Sequence, residues 1–95
     1  MITLLLVFMT NIYIYCLFDE DDILQGVYSS LKAAHRDALK MTNKSPGGVY
    51  LETPQGTMQP SLTILRNTFK GMCDLIVKYR SGRRVAKILK TKIKE

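Results

Sequence analysis

The chain has 95 residues, a formal net charge of +6, and 46% hydrophobic against 23% charged side chains. That is room for one domain with the composition of a folded one, which excludes a multidomain array and a disordered chain. Two cysteines, Cys16 and Cys73, lack any metal-ligand spacing and read as small apolar side chains of a reducing compartment, with a single bridge between neighbouring strands as the alternative.

Met1 to Phe18 carries no charged side chain. As a helix it would be about 27 Å long, close to a bilayer core. Thr10 and Asn11 lie near its middle, and no Lys or Arg flanks it. Ile12–Phe18 is β-branched and aromatic, which is strand chemistry. The expected organisation is therefore a hydrophobic N-terminal extension over 1–8 and a single α+β domain over 9–95, whose first strand starts at Ile12. A signal or a membrane anchor over Met1–Phe18 is the alternative.

Asp19 to Asp22 fit a hairpin turn between Ile12–Phe18 and a second strand over Ile23–Tyr28. Ser29 or Ser30 then caps a helix in which Leu31, Ala34, Ala38 and Met41 recur at helical spacing, with Lys32, Arg36, Asp37 and Lys40 on the other side. Asn43 can close it, and Ser45-Pro46-Gly47-Gly48 forbids continuation. Val49–Thr53 reads as a third strand ended by Pro54-Gln55-Gly56. A short helix is expected from Ser61, with Leu62, Leu65, Phe69 and Met72 at helical spacing and Gly71 as its terminator. A second hairpin, Cys73–Tyr79 and Arg84–Ile93, brackets Ser81-Gly82. Its last residues break the alternation and read as a basic tail. The order is β-β-α-β-α-β-β, a small antiparallel sheet with one or two helices packed on one face.

No residue set calls for enzyme chemistry, a cofactor or a metal. His35 is the single histidine, and pairing with Cys73 for nucleophilic catalysis has no support beyond their presence. GxSxG, GxxxxGK[ST] and HExxH are absent, and Gly47-Gly48 precedes a strand rather than a helix. Four consecutive acids lack the spacing of a calcium loop. Functional content lies in charge distribution. Residues 66–95 carry ten Lys/Arg against two acids, a net of +8, whereas residues 1–65 carry four against six, a net of −2. The expected polyanion- or acidic-partner-binding residues are Lys78, Arg80, Arg83, Arg84, Lys87, Lys90, Lys92 and Lys94, with Tyr79 able to stack on a base.

The run Phe18-Asp19-Glu20-Asp21-Asp22-Ile23-Leu24-Gln25-Gly26-Val27-Tyr28-Ser29-Ser30-Leu31-Lys32-Ala33-Ala34, with the ending Lys87–Glu95, resembles small uncharacterised proteins of large eukaryotic DNA viruses. These share a strand, an acidic turn, a G-[VF]-[YF]-S-S strand end and an alanine-bearing helix. The resemblance spans about a third of the chain and brings no catalytic residues. It implies an accessory factor or minor virion component, inside an infected cell or in the virion. The expected activity is a non-enzymatic protein-interaction module whose partner is another protein with an acidic surface. Nucleic-acid binding through the basic hairpin, and a single-pass membrane protein anchored by residues 1–18, are the alternatives.

Overall fold

The computed structural model describes residues 13–42 and 48–93. In chain order the elements are β1 (Tyr13–Asp19), β2 (Leu24–Tyr28), α1 (Leu31–Thr42), β3 (Tyr50–Thr53), β4 (Gly56–Met58), α2 (Leu62–Phe69), β5 (Leu75–Ser81) and β6 (Arg84–Lys92). The strands form one antiparallel sheet in the order β2-β1-β6-β5-β3-β4, and the expected α+β class is the observed one. Sequence-neighbouring strands make the two hairpins and the β3–β4 arm. The long-range joint is β1 against β6, in continuous register from Tyr13↔Lys92 to Asp19↔Ala86.

The first turn is built by the Asp19 carboxylate, which accepts from the Asp21 and Ile23 amides at 2.9 and 3.0 Å. Asp22 takes the left-handed conformation there at φ 62°, one that Asp tolerates better than most residues. The second hairpin turns through Gly82 at φ 58°, the conformation a two-residue loop asks of glycine. Ser30 Oγ accepts from the Ala33 amide and caps α1, and Ser61 Oγ accepts from Ile64 to cap α2. Gly71, at φ 71°, follows the end of α2 as the spacing predicts.

Two elements depart from expectation. Pro54-Gln55-Gly56 does not simply end β3. Gly56, at φ 116°, lets the chain reverse, and Gly56–Met58 pairs back on Leu51–Thr53 as β4. The C-terminal residues also do not peel away as a tail up to Lys92, because β6 is held on both sides, by β1 and by β5. Asn43 to Gly47 lie outside the described residues, as do Met1–Ile12 and Lys94.

Strand alternation gives the sheet two unlike faces. On one face Leu17, Leu51, Val77, Tyr79, Ala86 and Ile88 meet Leu31, Ala34, Ala38, Leu65 and Phe69 of the helices, and all eleven are buried. The alanines of α1 and Ala86 of β6 are small enough to bring that helix close to the sheet. Burying each of the larger side chains contributes roughly 1.5–3 kcal/mol. None of these eleven residues lies on the opposite face, which no described element covers.

Candidate interaction surface

The predicted basic hairpin does not form one basic surface. In β5, Lys78 and Arg80 point to the open face while Tyr79 points to the helices. In β6, Lys87 points to the open face while Arg84, Lys90 and Lys92 point to the helix side. Arg83 lies in the turn between the two strands. The cause is the period-2 pleat, which separates side chains that are adjacent in sequence.

Two expected contact residues are in the interior. Tyr79 has no exposed surface, so stacking on a base is ruled out. Its hydroxyl is hydrogen-bonded to His35 Nδ1 at 2.5 Å. Burial pushes the Tyr79 phenol far above its ordinary range and holds His35 below its own. Burial thus favours the protonated phenol and the neutral imidazole. Cys73 precedes the Leu75 end of β5, and Tyr79 with its histidine lies about 13 Å of strand beyond Leu75, which separates the Cys73–His35 pair. Lys90 is only 8% exposed. Its ammonium donates to the Phe69 carbonyl at 2.8 Å and stands 4.4 Å from the centre of the Tyr13 ring.

On the open face, ion pairs neutralise two of the three cations. Lys87 Nζ lies 2.5 Å from Asp22 Oδ1, and Arg80 bonds the Glu52 carboxylate on β3. Both acids come from the acidic part of the chain, folded against the basic part. Lys78 is in no ion pair among the described residues.

Beside those pairs, farther from the β5–β6 turn, runs an apolar band. Cross-strand register places Val27, Cys16, Leu89 and Ile76 in one row over β2, β1, β6 and β5. Leu24 and Phe18 pair in the next row, and Ile14 extends the band along β1. Val27, Leu24 and Ile76 are 55%, 52% and 47% exposed. An antiparallel sheet with one solvated face ordinarily alternates apolar with polar side chains, and β1 does not. Its sequence Tyr-Ile-Tyr-Cys-Leu-Phe has no charged residue on either face before Asp19. That lack of alternation was a readable sign of a strand meant to be covered twice. Charge distribution alone does not disclose it.

Other sequence-stated alternatives have definite places. Tyr13–Phe18 forms a strand between β2 and β6, so these six residues are not part of a helix, and the rest of the Met1–Phe18 stretch lies outside the described residues. Among the described residues, no helix is long and apolar enough to cross a membrane. Cys16 and Cys73 are free thiols: Cys16 lies on β1, Cys73 precedes β5, and β6 runs between those two strands. No group of three or more His, Cys, Asp or Glu among the described residues is arranged to hold a metal ion. No family model, curated protein or solved structure matches the chain.

Proposed function

We propose that the chain is a non-enzymatic protein-interaction module that docks an apolar surface of a partner protein on the open face of its sheet. The observation that carries this reading is the Val27–Cys16–Leu89–Ile76 row, an apolar strip four strands wide that no described element covers. Exposed contiguous apolar surface of this kind marks association sites, because burying it is the main favourable term in protein association. Flanking charges favour an apolar partner over a polyanion. Lys87 and Arg80 already have carboxylate partners, and a phosphate backbone would have to displace them. An accessory or minor structural role in a viral assembly is the setting that the sequence resemblance implies.

Cys16 provides the test, since it lies in the middle of the row. With Cys73→Ser in the full chain, a photo-crosslinker on Cys16 should capture one discrete protein in extracts of cells that express this chain. Unlabelled protein should compete that product away, and a folded Val27→Lys, Ile76→Lys variant should not. A product insensitive to the two lysines, or crosslinks only into residues 1–12 of the same chain, would overturn the reading.

A further inference from the structure

The helix side of the molecule holds a chemically different feature. A cleft of about 280 Å³ lies where the start of α1 meets α2 and strands β1 and β6. Lys32, Arg66 and Lys90 line it, together with the hydroxyl-bearing Tyr15, Ser29 and Ser30, and no carboxylate among the described residues does. Lys32, Arg66 and Lys90 are in no ion pair among the described residues.

Lys90 makes this arrangement unusual. The residue is more than nine-tenths buried, and its ammonium meets only neutral groups, the Phe69 carbonyl and the face of the Tyr13 ring. A buried cation without a counter-charge is costly unless an anion completes it. Lys90 is one of the residues that line the cleft, so an anion held there would lie near its charge. Arg66 adds a fork of donors suited to a tetrahedral oxyanion, and Lys32 adds a second ammonium. The amides of Leu31 and Lys32, at the positive end of the twelve-residue α1, have no acceptor among the described residues. Burial raises the Tyr15 phenol while the Arg66 charge opposes that rise, so the hydroxyl stays a donor beside the guanidinium.

We infer that this cleft binds the phosphate group of a small molecule, as free phosphate or as a phosphate monoester. Three cations and a set of donors with no competing carboxylate suit a dianion. The enclosed volume admits a phosphate with a small body attached.

The test is amide NMR of the full chain at constant ionic strength, with inorganic phosphate and glycerol phosphate titrated separately against a chloride control. Saturable shifts are expected at Ser29 to Lys32 and around Arg66. The ligand of higher affinity identifies the source. Binding should weaken at least threefold between pH 7.5 and pH 5 as the dianion is protonated. Arg66 and Lys32 are exposed, so Arg66→Met and Lys32→Met should each lower affinity about tenfold or more without loss of fold. Unsaturable shifts spread over Lys78, Arg83 and Lys92 would overturn the inference, as would unchanged affinity in Arg66→Met.

Discussion

At the scale of single residues, Tyr79 shows how a side chain's chemistry is redirected by its address. The aromatic among the charges of the second hairpin suggested stacking. Its alternation with Lys78 and Arg80, also legible, had already set it on the face of Val77, and the neighbouring charges did not follow it there. What no spacing could disclose was the hydrogen bond to His35, 44 residues away. That bond carries a pH consequence. With its folded pKa lowered, His35 binds fewer protons than in the unfolded chain, whose histidine titrates near pH 6.5. Its neutral form is accommodated without penalty above that value, and stability declines as pH falls through it. His35 is the chain's single histidine, so the urea midpoint should drop between pH 7.5 and pH 5.5 in the wild type and stay nearly level in His35→Leu. Tyr79→Phe keeps the ring in the core and should cost about 1 kcal/mol at pH 7.5, the net worth of an ordinary hydrogen bond.

Elements were legible in proportion to the local signal behind them. β1 announces itself through β-branched and aromatic content, and β2, α1, α2, β5 and β6 through period, serine caps and turn residues. β4 is three residues long, Gly56-Thr57-Met58, with too few side chains to show a period. Its existence depends on Gly56 at φ 116°, a conformation that L side chains rarely adopt. A Cβ there would meet no atom within 4 Å, so the penalty of substitution is backbone strain and not a clash. Gly56→Ala should therefore destabilise by roughly 1–3 kcal/mol. Gly71→Ala, in the milder left-handed region, should cost about 1 kcal/mol. Hydrogen exchange should show β4 amides losing protection first in the Gly56 variant, and equal loss across all strands would contradict this assignment.

For the whole molecule, the net of −2 before residue 66 and +8 after it is correct as arithmetic and misleading as a map. Folding lays Asp22 on Lys87 and Glu52 on Arg80, and the pleat sends the remaining cations to opposite faces. The candidate surface was hidden because it belongs to no segment: its row is assembled from four strands, one residue each. The two ion pairs give a direct check. Asp22→Asn with Glu52→Gln should raise affinity for random-sequence DNA severalfold at 50 mM salt. The slope of log affinity against log salt should steepen by about two counterions, read by fluorescence anisotropy. Unchanged affinity and slope would show that the pairs do not mask these cations.

The position of β6 has a kinetic meaning. Without it the strand pairings fall into two groups, β1 with β2 and β3 with β4 and β5, and no ladder joins one to the other. β6 is the splice, and its pairing with β1 closes loops of roughly seventy residues. Such closures are entropically slow and yield their contacts late. Until β6 seats, the apolar sides of two half-sheets stand open at once, including the face proposed for the partner. The barrier to folding and the exposure to misassembly thus converge on a single step, the insertion of one nine-residue strand.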